Sequence, residues 1–227
     1  MLIDSTSLSE TVDAVHAAHF EGRPLDAAER RDTARWIAAR QGLAGAYAET
    51  FAGFPAERSK GIALFTGERI TSASARHILG EEASRALRVL AVRDPVVTGA
   101  LAAADEGLLR SLARAAADPR TTNPGLFCCG KCSVGLWRNL LAGGLDRRDE
   151  RLRRGASHLR SARDREHGWK RFPFWYTVLA LSEMDSRDAK AELTHAAPAL
   201  ERAAARSAST LYACRRRNLA ERVLKRL

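Results

Sequence analysis

GASHLRSARDREHGWKRFPFWYTVLALSEM, residues 155–184, contains two helix patterns and the turn between them. Leu152, Ala156, Leu159 and Ala162 recur at helical spacing inside an arginine-rich run, which predicts an amphipathic helix over about 147–163. The run from Asp164 to Phe172 is too polar and too rich in turn residues to continue it. Pro173 stands where the first turn of a helix tolerates a missing N–H. Beyond it Phe174, Thr177, Val178, Leu181 and Met184 share one face, so a second helix turns an apolar side inward. A charged outer helix, a polar loop and an apolar inner helix make a helical hairpin.

The same plan extends outward on both sides. A helix over about Cys128–Leu141, stopped by Gly143 and Gly144, follows a loop marked by Asp118, Pro119, Asn123, Pro124 and Gly125. Upstream of that loop, Leu101, Leu108, Leu109 and Leu112 place one or two helices in 96–117. A helix capped by Ser72 or Ser74 runs to about Val92, with Ala75, Ile78, Leu79, Ala83, Ala86, Leu87 and Leu90 as its core stripe. His77, Glu81, Arg85 and Arg88 fall opposite, as a solvated face with i, i+4 pairs. Residues 54–72 form the longest irregular stretch, with Ile62 to Phe65 either strand-like or a packed loop.

Near the N-terminus, Ser7 and Glu10 have the form of a capping box for a helix to Phe20. A further helix runs from Asp26 to Gln41. Tyr47, Thr50, Phe51 and Phe54 at i, i+3, i+4, i+7 predict its hairpin partner. Downstream of the quoted stretch, two helices over 187–205 and 207–226 close the pattern, with Pro198 expected to kink or split the first. Few β-branched runs and almost no alternation leave strand little room. The expectation is one all-α domain over 1–227: a lead and helix in 1–24, then helical hairpins in 25–227 packed as a curved bundle.

Segments Ala34–Phe54, Leu112–Leu141 and Gly155–Met184 share the plan as a loose repeat. The third copy resembles the repeat of prenyltransferases and of squalene and terpenoid cyclases. There an outer helix leads through a Gly-Trp turn (Gly168 and Trp169) into an inner helix with a Tyr-Thr-x-x-Ala-Leu core (Tyr176, Thr177, Ala180 and Leu181). The resemblance implies an α/α toroid, inner helices surrounding a cavity. A chain of 227 residues is short for a complete one, so a partial ring is expected. Glu81–Glu82, Asp105–Glu106 and Asp149–Glu150 do not match the acidic clusters of the cyclases. No residues match the Asp, Cys and His zinc ligands of protein prenyltransferases, so the family's activity is not carried over.

Three constellations carry chemistry. Cys128, Cys129 and Cys132 are candidate catalytic groups, since a helix start lowers a thiol's pKa. The step from Cys129 to Cys132 can also present two thiolates to a zinc ion, with Cys214 as a distant ligand. Small cysteines packed on an alanine-rich helix are the bland alternative. Tyr47, Trp175 and Tyr176 are aromatic candidates for lining a small-molecule cavity. Arg58, Glu68 and Arg76, near the start of the helix that Ser72 or Ser74 caps, are candidates for an anion site.

The net charge of +10 attracts anionic partners of any kind. Basic residues concentrate in 147–171 and 215–226, where Trp169 to Phe172 interleave aromatics with charge as single-strand binders do. Two functions stay open: a small organic ligand bound, with or without chemistry, in a cavity whose mouth holds the cysteines, or nucleic acid bound on a basic face. A polar, acidic start and apolar runs too short to span a bilayer predict a cytoplasmic protein without a membrane span.

Overall fold

The computed structural model describes residues 2–117 and 125–227; the turn expected around Asp118, Pro119, Asn123 and Pro124 lies outside them. The fold is all-α. In chain order the described residues contain α1 (Leu8–Glu21), α2 (Ala27–Ala38), α3 (Pro55–Lys60), α4 (Ser74–Leu90), α5 (Pro95–Ala117), α6 (Gly130–Leu141), α7 (Arg148–Ala162), α8 (Phe174–Ser182), α9 (Arg187–Ala204) and α10 (Leu211–Leu224). Two short strands, β1 (Ile62–Ala63) and β2 (Arg69–Ile70), pair antiparallel with Ile62 opposite Ile70.

Side-chain caps explain several starts. Ser7, Asp26, Ser186 and Thr210 each accept the backbone N–H three residues on, relieving one of the donors a helix start leaves unpaired. The reciprocal arm expected from Glu10 is replaced: Glu57, fifty residues away, accepts from Ser7 Oγ at 2.9 Å and from the Ser9 N–H at 2.6 Å. Pro173 sits at the N-cap of α8. Pro198 lies inside α9, which continues through it, so the expected split does not occur.

The helix expected around Tyr47, Thr50, Phe51 and Phe54 is absent. Gly42, Gly45, Ala48 and Glu49 all have positive φ, a conformation that a right-handed helix cannot accommodate. The segment is instead a folded loop tied back to α2, with Gly42 N–H donating to Thr50 and Ala52 N–H to Arg40. Its apolar residues still face inward: Phe51 is fully buried. Gly107 of α5 lets this loop approach, because a Cβ there would lie 2.0 Å from the Ala48 carbonyl oxygen.

Five helices form the inner layer. α1 packs on α4, α4 on α6, α6 on α8 and α8 on α10, while Arg215 of α10 returns to Asp13 of α1 through two 2.8 Å hydrogen bonds. Successive contacts rise together along each pair. His77 of α4 meets Cys132 of α6, Glu82 meets Arg138, and Arg88 meets Asn139; Asp13 meets Arg215 and Phe20 meets Arg222. The inner helices therefore run in the same direction. α2, α5, α7 and α9 pack around them. Each inner helix after α4 is reached through an outer one, which is the hairpin order read from 155–184.

The inner position of α4 overturns one expectation. Glu81 and Arg85, expected on a solvated face, are buried at 0 % and 5 % exposure, as is their neighbour Glu82. α4 is covered on nearly every side, so the face opposite its apolar stripe pairs internally instead of meeting water. α8 is likewise enclosed, with Thr177, Val178 and Leu181 fully buried.

Candidate functional site

The inner helices share two clusters of polar and ionisable side chains, one at their N-terminal ends and one nearer their C-terminal ends. The first is built by the starts of α4 and α6. Gly130 allows α6 to begin there: any Cβ would sit 2.4 Å from the Arg171 carbonyl oxygen in the turn before α8. With that approach, Cys129 becomes the N-cap of α6 and Cys132 lies in its first turn. His77, in the first turn of α4, points Nδ1 at both neighbours, 3.2 Å from Cys128 Sγ and 3.5 Å from Cys132 Sγ. Cys129 Sγ lies 3.5 Å from Ser74 Oγ.

The Tyr47 ring stacks on the His77 imidazole with centroids 3.5 Å apart, and its hydroxyl is 2.6 Å from Ser111 of α5. Burial lowers the His77 pKa, opposed by charge on Cys129. The thiols share protons unequally. Hydrogen bonds from Cys128 and Cys132 lower the Cys129 pKa, while contact with Cys129 pushes Cys128 up to about 11. Cys129 is the most acidic thiol of the group, in keeping with its place at a helix N-terminus. Cys128 and Cys129 are exposed and Cys132 is buried.

The second region begins one and a half turns further along α6. Arg138 donates to both oxygens of Glu82 at 2.6 and 2.7 Å and to Glu183 Oε1 at 3.1 Å. Arg85 donates to the same Glu183 oxygen at 2.7 Å. Burial opposes ionisation of Glu183, but Arg138 and Arg85 hold its pKa below the ordinary value. Tyr176 completes the network by donating its hydroxyl to Glu82, and His16 Nδ1 lies 3.2 Å from the other Glu82 oxygen. An ionised carboxylate only accepts, so the imidazole must donate: the proton belongs on Nδ1 and Nε2 keeps its lone pair. Burial, then the charges of Arg138 and Arg85, depress the His16 pKa well below its usual value. His16 is neutral, and its buried Nε2 has no partner among the described residues.

This network floors a cleft of about 210 Å³ to which all five inner helices contribute. His16 and His19 come from α1, Arg85 from α4, Arg138 from α6, Leu179 from α8, Arg222 from α10 and Arg226 from the turn after it. Arg222 and Arg226 are fixed at the rim by hydrogen bonds to the Phe20 and Ser182 carbonyls, at 2.6 and 2.7 Å. The Arg85 Nε is buried without a partner among the described residues.

The chain matches no family model, no curated protein and no solved structure.

The predicted site residues are dispersed by the fold. Tyr47 joins the cysteines. Tyr176 is fully enclosed against Glu82, and its backbone N–H donates to Glu68 at 3.0 Å. Glu68 therefore holds the start of α8 and, with Thr66, its own loop. Arg58 donates to the Gly53 carbonyl at 2.8 Å, and Arg76 is exposed on α4; these three residues build no common pocket. Cys214 lies on α10 near the Ala208 carbonyl, apart from the grouped donors. Trp175 lines a separate groove with Arg202, Arg206, Arg216 and Arg217. The cysteines lie at the opposite end of the inner helices from the cleft and do not line it.

Sequence reasoning missed His16, Glu82, Arg138 and Glu183. Arg138 and Asn139 inside the apolar run Val134–Leu141, and Glu81–Glu82 inside another, were the available signal. Charged residues at positions with no polar face to occupy demand buried partners.

Proposed function

We propose that this chain binds a small organic anion in the cleft at the C-terminal ends of its inner helices, and that the ring of helices is the α/α toroid suggested by residues 155–184. The carrying observation is the convergence on one concave site of Arg85, Arg138, Arg222 and Arg226 with the unpartnered Nε2 of His16. The four guanidinium groups outnumber the two carboxylates that face them, Glu82 and Glu183. A carboxylate or phosphate group matches the fork of N–H donors on Arg222 and Arg226. A hydroxyl on the same ligand would donate to His16 Nε2. At about 210 Å³ the cleft is smaller than drug-sized sites of roughly 300–1,000 Å³, which favours a compact metabolite. If the ligand reacts there, His16 oriented by Glu82 is placed as the general base.

Calorimetric titration with glycerol 3-phosphate, inorganic phosphate and uncharged glycerol tests the reading. Binding of the first should exceed the second, glycerol should not bind, and Arg222→Met with Arg226→Met should abolish binding while leaving the circular dichroism spectrum unchanged. Equal heats for wild type and the double variant would remove the proposal.

A second reading, nucleic-acid binding, draws on the separate groove of about 320 Å³ where Trp175 faces Arg216. Most of the arginines in 147–163 do not contribute, because Arg147, Arg151, Arg154, Arg160 and Arg163 are paired with acids. Single-stranded oligonucleotide affinity that falls steeply with salt and is lost in Trp175→Ala would support this reading over the first.

A further inference from the structure

We propose that His77 Nδ1 and the Sγ atoms of Cys128 and Cys132 bind one zinc ion between the N-terminal ends of α4 and α6. The donors of His77, Cys128 and Cys132 lie within 4.8 Å of one another. Cys129 Sγ stands beside that group, 3.5 Å from Ser74 Oγ, and is not one of its three donors. Zinc bonds of about 2.3 Å to sulfur and about 2.0–2.1 Å to nitrogen set the edges of a tetrahedron at roughly 3.5–3.8 Å. The imidazole-to-thiol separations of 3.2 and 3.5 Å are already close to those edges. Two thiolates and an imidazole are a soft donor set that suits zinc and disfavours magnesium or calcium.

The surroundings fit a metal better than plain packing. Three thiols and a histidine, brought together from segments more than fifty residues apart, are more polar atoms than a packing role needs, and two of the cysteines are exposed. The Tyr47 ring, anchored through Ser111, fixes the imidazole plane as an outer-shell support does. The two helices start at the same level and run in the same direction, so both positive ends face the thiolates. Three protein donors leave one position for water or another ligand, and the ion would join α4, α6 and, through Tyr47, the 42–54 loop. The donor set contains no carboxylate, and the site is separate from the proposed anion cleft.

Protein purified without chelator should carry one equivalent of zinc by elemental mass spectrometry. After removal, cobalt(II) should restore one equivalent with the visible bands of a tetrahedral thiolate complex. His77→Ala and Cys132→Ser should each shift those bands and weaken binding by more than the roughly 10–100-fold that loss of an outer-shell partner costs, and Tyr47→Ala should fall within that range. Cys214→Ser should leave stoichiometry and spectrum unchanged. The spectral shift remains readable if a variant is less stable. Less than one-tenth of an equivalent of metal, a His77→Ala spectrum identical to wild type, or a Cys129–Cys132 disulfide in protein kept under argon would overturn the assignment.

Discussion

Replacing Glu81 with glutamine should make the protein markedly less sensitive to alkali. Glu81 is fully buried in α4, accepts one hydrogen bond from Asn139 Nδ2 at 2.7 Å, and has its second oxygen unpartnered among the described residues. Burial raises its pKa from 4.5 to about 8, with Glu82 adding to the rise and Asn139 opposing it. The folded chain thus holds a proton that the unfolded chain releases above pH 4.5. Stability from this residue is complete below that value and is lost as pH climbs through 8. Between pH 6 and pH 9 the linkage amounts to about 2.5 kcal/mol, equivalent to roughly 5–10 °C in Tm for a domain of this size. Glutamine keeps the shape and the acceptor for Asn139 but has no proton to lose. Urea denaturation at half-unit steps from pH 6 to 9 should show wild type falling toward the variant and then below it. Parallel curves for the two proteins would mean that Glu81 is ionised in the fold, and the reasoning would fail.

Other substitutions probe separate contacts. Arg138→Met leaves Glu82 without its bidentate partner and removes one of two from Glu183, so about 3–5 kcal/mol should be lost in urea denaturation. Gly155→Ala sets a methyl 2.5 Å from the Trp137 ring; overpacking of about 1–3 kcal/mol should outweigh the roughly 1 kcal/mol gained in helix propensity, and an unchanged Tm would show that Trp137 can shift. Ser186→Ala removes the acceptor for the Ala189 N–H and should cost about 1 kcal/mol, measured the same way.

The helices were legible because their signals are local. Apolar spacing found α4, α6 and α8, and proline marked the start of α8. The loop over 42–54 was not legible, since its apolar spacing imitates a helix while the turns depend on positive φ at Ala48 and Glu49 as well as at glycines. The site was half legible. Three cysteines in five residues announce themselves, but their fourth partner, His77, is fifty-one residues from Cys128, and its neighbour Glu81 offered an i, i+4 pairing that the fold does not use. Cys214 was named only because it was the remaining cysteine. The buried network escaped for a related reason: Glu82, Arg138, Glu183 and His16 look like surface residues until α1, α4, α6 and α8 are packed against each other.

The join between Asp13 and Arg215 spans 202 positions of chain, and this has a consequence for biosynthesis. During translation α1 emerges long before the helix that seals it, so its oily flank must wait unprotected while everything between is made. Long-range closures of this kind are slow, and the waiting state is prone to aggregation. A stop codon ahead of α10 would therefore yield a nascent product that clumps or is degraded, whatever the strength of the helices already formed.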